Sequence, residues 1–314
     1  MAFSLNDNHI VVKYHYIDNP REDRRAFYPC PIKEFERQII FLKNNFKITT
    51  VENVFNAAQE NSSEKMCALT FDDGLKDNYQ NAIPILKKHR VTGTFFPITK
   101  TFEGFLPATH AMHILLSSQS SEDLVGNFNT FLSATFPDMV GQFYISKTKR
   151  LTMERKMYDD VSTANLKETM NRVPRNIRDT FLEMIFKELG LDKEKISSAL
   201  FMTPLEIKDL YRKGYLIGSH AHSHEALDTT EESLAWEEIR TSKKILKELL
   251  GTPVTVLVYP QSGPKIVPQA MLKEEGLRFA LSTERRGVLK GDDPYLIPRY
   301  DTNDIRDFLD TTTL

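Results

Sequence analysis

MCALTFDDG, residues 66–74, is an uncharged run that ends in two adjacent carboxylates and a glycine. A short continuous run of this kind, bounded by turn residues, reads as a strand buried on both faces, as in a parallel sheet. Chain emerging from the carboxyl end of such a strand is where α/β proteins place their chemistry. Upstream, HIVVKYHYI at 9–17 is rich in β-branched and aromatic residues and stops at Asp18-Asn19-Pro20. A charged loop follows at 21–30. Pro31 then suits the start of a helix over 32–45, with Phe35, Ile39, Ile40 and Leu42 on its apolar face. A strand is expected near 47–51 and a helix near 52–60. Downstream, 76–89 reads as a helix despite Pro84, and 93–98 (GTFFPI) as a strand. Strands separated by helices imply βαβ units.

The alternation breaks between 103 and 200, where apolar spacing is helical (114–118, 123–133, 163–171, 176–189) and no strand is apparent. It then resumes, with helices at 204–213, 230–250 and 266–275 and strands at 215–218, 254–259 and 278–282. A last strand is expected near 295–298. Thr229 with Glu232 suits a capping box and Gly251 a helix stop. The charged run Lys147–Asp160 reads as a solvated helix face. The fold class is thus α/β: a barrel-like βα-repeat domain over 1–102 and 201–314, with a helical insertion over 103–200 that is expected to be a lid or an interaction surface.

The 314 residues are enough for one large domain or two. With 41 Lys and Arg against 43 Asp and Glu, a basic nucleic-acid surface is not the main function. Two cysteines, Cys30 and Cys67, cannot build a disulfide framework; they leave one disulfide open, and a reducing compartment is the simpler reading. No uncharged apolar stretch approaches the ~20 residues needed to cross a bilayer, and the first residues lack the pattern of a signal peptide. The expectation is a soluble, cytoplasmic chain with no transmembrane segment, and a homo-oligomer is left open.

Two clusters could carry chemistry. Asp72 and Asp73 leave the strand in different directions, so one can hold a metal while the other acts as a base. The bland alternative is a solvated turn that caps the following helix. Gly218-Ser219-His220-Ala221-His222-Ser223-His224 packs three histidines behind the apolar Tyr-Leu-Ile, and a His pair at i and i+4 can meet one metal. A His-rich surface turn is the alternative. Asp73, His220 and His224 together would leave a metal position open for water, as in a catalytic zinc site. Trp236, the single tryptophan, reads as core rather than as a sugar platform.

ALTFDDG followed by GSHAHSH closely resembles the first two motifs of the polysaccharide deacetylases, carbohydrate esterase family 4. Tyr14-His15-Tyr16 is similar to the first strand of many members, and Val258-Tyr259-Pro260 with Gly263 is similar to their third motif. The resemblance covers about two-thirds of the chain. It implies a distorted (β/α) barrel, usually of seven strands, with Asp72 as general base and Asp73, His220 and His224 as metal ligands. The backbone at Tyr259 would help to hold an oxyanion.

The implied activity is a metal-dependent hydrolase that removes an N-acetyl or similar acyl group from an amino-sugar or oligosaccharide substrate in surface polysaccharide biosynthesis. Zinc is expected, and nickel or cobalt would accept the same ligands. The chain departs from the family pattern in three places: Ala221 replaces the usual hydroxyl residue, Gln261-Ser262 lengthens the third motif, and Ile297-Pro298-Arg299-Tyr300-Asp301 stands where the family often has Leu-x-His. The general acid is therefore unassigned. His15 is a candidate, against a core histidine bonded to backbone. Arg299 either orients an ionised Asp72 or forms a structural ion pair. The alternative functions are a related carbon–nitrogen hydrolase acting on a formamide or cyclic amide, and a non-catalytic carbohydrate-binding protein.

Overall fold

Strand β1 (His9–Tyr14) pairs in parallel with β3 (Met66–Phe71) along its whole length, from His9 opposite Met66 to Tyr14 opposite Phe71. The short β2 (Lys47–Thr49) lies beside the first half of β3, and β4 (Thr94–Phe95) beside its second half. From β4 the order continues to β5 (Leu216–Ile217). A single bridge, Ser219 to Leu257, leads to β6 (Val256–Val258), which pairs with β7 (Phe279–Leu281). A second bridge, Leu281 to Ile297, leads to β8 (Tyr300–Asp301), which returns to β1. Every strand-to-strand pairing in this order is parallel, and at two places the connection is reduced to a single bridge. The computed structural model from which these features are read describes residues 3–4, 6–152, 159–227, 231–261 and 267–312.

Side-chain alternation sorts the core. Val11, Ala68, Phe96, Val258, Leu281 and Ile297, from these strands or the residues beside them, share one buried cluster to which β5 does not contribute and to which the helix Val51–Gln59 adds Val51, Val54, Phe55 and Ala58. The intervening residues Ile10, Val12, Tyr14, Cys67, Leu69 and Phe71 face the opposite way, into a second cluster with Phe35, Ile39 and Leu42 of the helix Ile32–Asn45. This is the period-2 pattern of strands covered on both faces.

At the carboxyl ends, Phe71 stacks on Phe95 at 4.5 Å and on Tyr14 at 5.5 Å between ring centroids. This aromatic ladder fixes the register of three neighbouring strands directly below Asp72.

Two units are distinguished: Met1–Asn19, Pro29–Glu103 and Ser198–Leu314 form one, and Pro20–Tyr28 with Gly104–Ser197 the other. The second is helical, including Ala108–Ser118, Ser121–Thr135, Val161–Arg172 and Arg175–Glu188. The segment Pro20–Tyr28, which takes in most of the charged loop read from sequence at 21–30, belongs to it. The Arg25 Nε donates to the Leu116 carbonyl and the Ala26 N–H to Ser117 Oγ.

Several local expectations differ from the structure. Strand 93–98 shrinks to Thr94–Phe95, because Pro97 has no N–H to extend the ladder. Ile40 is exposed, and Gln38 is buried in its place, accepting from Tyr14 Oη and donating to the Thr302 carbonyl. Residues 76–89 are not one regular helix: Asn78–Ala82 is a π turn that runs into Ile83–His89, accommodating Pro84 near the junction. The last strand lies at 300–301, with Ile297 contributing only a bridge, and the helix Thr302–Thr312 was not anticipated. Residues 147–150 are not helical, and 153–158 of that charged run lie outside the described residues. Thr229 also lies outside them. The helix Glu232–Leu250 starts beyond it and stops at Gly251, at φ +79°.

Candidate metal centre

Asp72 and Asp73 follow β3 directly, and the backbone there is left-handed at both Asp73 (φ +70°) and Gly74 (φ +71°). A Cβ on Gly74 would lie 2.8 Å from Pro97 Cα, so only glycine fits this turn. The turn is pinned by the Met202 N–H donating to the Gly74 carbonyl at 2.8 Å. Both carboxyl groups are buried, which removes the solvated-turn reading. Facing them, the chain from β5 enters 219–224 with left-handed backbone at Ala221 (φ +62°) and His224 (φ +66°). Non-glycine residues held there cost on the order of 1–3 kcal/mol each and collect at functional sites.

The strain brings the ligand candidates together. One ligand atom from each of Asp73, His220 and His224 lies within 4.8 Å of the others, and all three residues are buried. His220 Nε2 is 3.2 Å and His224 Nε2 is 3.4 Å from Asp73 Oδ1. His220 Nδ1 lies 2.9 Å from the Val258 carbonyl; donating there places its proton on Nδ1 and leaves the Nε2 lone pair facing Asp73. Burial alone would lower the basicity of His220. Asp73 and Asp72 outweigh it, so the imidazole sits above its ordinary range in a site that favours positive charge. Two imidazole nitrogens and a carboxylate oxygen converging in this way fit a divalent metal of the zinc type.

Asp72 stands beside them, 2% exposed. Burial pushes its carboxyl up, but the charges of Arg299, His220 and His15, with the Arg299 hydrogen bond, more than reverse this and hold it below the usual value. Arg299, 1% exposed, donates from Nη1 to Asp72 Oδ1 at 2.8 Å and to Thr70 Oγ1 at 3.3 Å, and from Nε to the Ser282 carbonyl at 3.1 Å. His15 Nε2 is 3.7 Å from Asp72 Oδ2, and its side chain is 41% exposed. It is therefore a histidine at the rim of the site, not a core histidine.

The Tyr259 side chain is buried at the carboxyl end of β6, and its N–H donates to the Leu281 carbonyl at 3.2 Å. That N–H is engaged in strand pairing, so it could contact an oxyanion only by exchanging this bond. Ser262 and Gly263 of the third motif lie outside the described residues. His222 does not join the ligand cluster; its Nδ1 lies 3.0 Å from Thr99 Oγ1. Cys30 and Cys67 are free thiols.

Two contributors were not found from sequence. Glu238 accepts from the N–H groups of His222 and Ser223 and from Ser223 Oγ. Asn78, in the π turn, donates from its amide to the His15 carbonyl at 2.7 Å. Neither belongs to a motif, and only tertiary structure reveals their partners.

The sequence model of the polysaccharide deacetylases matches residues 59–127 and 155–280. The chain belongs to the polysaccharide deacetylase family. YxkH of Bacillus subtilis (strain 168), a protein assigned by name to the polysaccharide deacetylases, is 37% identical over 94 residues, which are 29% of this chain. Those residues span 32% of that relative's length.

Solved polysaccharide deacetylase-type structures share the fold. The Streptococcus pyogenes deacetylase PplD, determined in complex with acetate, superposes with a TM-score of 0.60 at 16% identity, covering 98% of this chain and 99% of its own. IcaB from Ammonifex degensii gives 0.57 at 15%, covering 94% and 91%. The de-N-acetylase from Aggregatibacter actinomycetemcomitans gives 0.54 at 14%, covering 95% and 98%. At these identities the likeness shows the α/β deacetylase fold alone. Among the described residues, no helix is long and apolar enough to cross a membrane.

Proposed function

We propose that this polysaccharide deacetylase-family chain is a metal-dependent hydrolase that removes N-acetyl groups from an amino-sugar substrate, in the biosynthesis of a surface polysaccharide. The observation that carries the reading is the convergence of Asp73, His220 and His224 within 4.8 Å beside a separately anchored Asp72. Bound by those three residues, zinc, or nickel or cobalt in its place, would supply Lewis acidity toward water and the amide carbonyl.

The chain's own residues do the rest. Arg299 occupies Asp72 Oδ1 and leaves Oδ2 to accept a proton from the attacking water. His15 Nε2, near Oδ2 and open to solvent on its other side, is placed to deliver a proton to the leaving amine. Family membership and the name of one fold neighbour, the de-N-acetylase from Aggregatibacter actinomycetemcomitans, support N-acetyl as the group removed. A cytoplasmic site of action is part of the proposal, in keeping with the two unpaired, buried thiols; fractionation of the native cells tests it.

The activity test is acetate release from N-acetylglucosamine oligomers, before and after chelation and after zinc, nickel or cobalt is restored. Chelation should abolish release and one of the metals should restore it. Asp72→Asn should keep the metal and lose about 10²–10⁴ in rate, whereas His220→Ala and His224→Ala should lose the metal itself. Chelator-resistant turnover, or full metal content in both histidine variants, would sink the proposal.

A further inference from the structure

We propose that Glu238 is a positioning residue for the metal centre, holding the turn between the two histidine ligands in the backbone conformation that ligation needs. The inference rests on the metal reading above.

Glu238 lies on the helix Glu232–Leu250 and reaches out of it to the 219–224 turn. Its Oε2 accepts the N–H of His222 at 3.0 Å and the N–H of Ser223 at 2.7 Å, and its Oε1 accepts from Ser223 Oγ at 2.5 Å. Two successive backbone N–H groups around one carboxylate form an anion-holding nest, filled here by the chain's own side chain. The two residues held are those between the left-handed Ala221 and the left-handed His224. On the other side, the carbonyls of Ala221 and His222 accept from the Thr99 and Lys100 N–H groups at 3.4 and 2.8 Å. The turn is thus gripped through its carbonyls by the chain after β4 and through its N–H groups by Glu238.

The helix that bears Glu238 is a firm anchor. Ala235, Ile239 and Leu246 are buried, and Ser242 Oγ lies 2.8 Å from Ser219 Oγ at the start of the same turn. With Glu238 removed, the N–H groups of His222 and Ser223 turn to water and the strained turn relaxes. The swing of His224 relative to His220 must then be frozen out at the moment of metal binding. That ordering appears as lost metal affinity, which a merely stabilising hydrogen bond elsewhere in the fold would not produce.

The test compares wild type with Glu238→Ala, Glu238→Gln and Ser223→Ala. Three quantities are measured: zinc affinity by competition with a chelator, the cobalt(II) visible spectrum, and hydrogen exchange at the 222 and 223 amides in metal-free protein. A urea midpoint confirms that each variant is folded. Glu238→Ala should weaken zinc by about 10–100-fold, with the two conservative variants between it and wild type. The cobalt bands should shift, and the 222 and 223 amides should exchange faster while the β3 amides do not.

If Glu238→Ala does not fold, Glu238→Gln and Ser223→Ala carry the same comparison. Folded variants with wild-type zinc affinity overturn the assignment of Glu238. Failure of the wild-type protein to bind zinc, nickel or cobalt overturns the metal reading itself, a different result seen before any variant is made.

Discussion

Asp72 and Arg299 bury opposite charges 2.8 Å apart at the bottom of the candidate site, and the arginine is further held by the Thr70 hydroxyl and the Ser282 carbonyl. The energetics of such a pair are asymmetric: losing one partner strands a buried charge, whereas losing both does not. Arg299→Met should therefore cost about 3–5 kcal/mol of stability, and Arg299→Met with Asp72→Asn should cost less than the single change. Urea unfolding of the two single variants and the double variant checks this; simple additivity would show that the pair is not coupled. A titration remote from the site acts at the same scale. His9 opens β1 with its Nε2 3.1 Å from the Ser62 carbonyl, and burial lowers its pKa below the ordinary 6.5. The unfolded chain thus binds the proton more readily than the folded one. The contribution is fully present above pH 6.5 and is lost as pH falls through the depressed folded value. Between pH 7.5 and 5, wild type should lose more stability than His9→Gln, and equal losses would exclude His9 as the source.

At the scale of elements, the site depends on close approach of backbone. Gly218 directly follows β5, and a Cβ there would stand 2.2 Å from Phe96 Cε1 and 2.8 Å from the Val256 carbonyl oxygen. The ring can rotate, but the carbonyl belongs to β6 and cannot move without opening the 219–257 bridge. Gly218→Ala should accordingly destabilise by about 1–3 kcal/mol, and trimming Phe96 to Leu should recover only part of it. Full recovery, measured by thermal unfolding, would assign the clash to the ring alone. What sequence reveals follows the same physics. Met66–Phe71 is legible to the residue because a strand covered on both faces must be continuously apolar, and Asp72, Asp73, His220 and His224 are legible because their chemistry is rare at that density. Ile40 and Gln38 exchange places because Gln38 finds two partners that are distant in sequence. The helix Thr302–Thr312 did carry a signal, since Ile305, Phe308 and Leu309 have helical spacing, but it is one turn's worth in a polar segment. Glu238 and Asn78 carried none, because a side chain's service to another element's backbone leaves no periodicity.

For the whole molecule, two units with separate cores imply that binding and stability need not be shared evenly. The ligands Asp73, His220 and His224 all lie in the unit made of Met1–Asn19, Pro29–Glu103 and Ser198–Leu314. The unit of Pro20–Tyr28 and Gly104–Ser197 has its own buried aromatics, with Phe128 and Phe181 5.1 Å apart. It also has its own polar braces: Asn129 exchanges two hydrogen bonds with Ile145, and Asn165 accepts from Leu151 while donating to Ser146 and Lys149. A ligand that binds only the folded state stabilises the unit it binds by mass action, about 2.7 kcal/mol at a hundred times its dissociation constant. For a unit of roughly 200 residues that is a rise on the order of 5–10 °C in melting temperature. Calorimetry with and without zinc should therefore show two transitions, of which only one moves. The unmoved transition should be the one lost from a variant in which 105–196 is replaced by a short Gly/Ser linker. Two transitions that rise together would mean that the helical unit takes part in holding the metal, and a single transition would mean that the two cores fold as one.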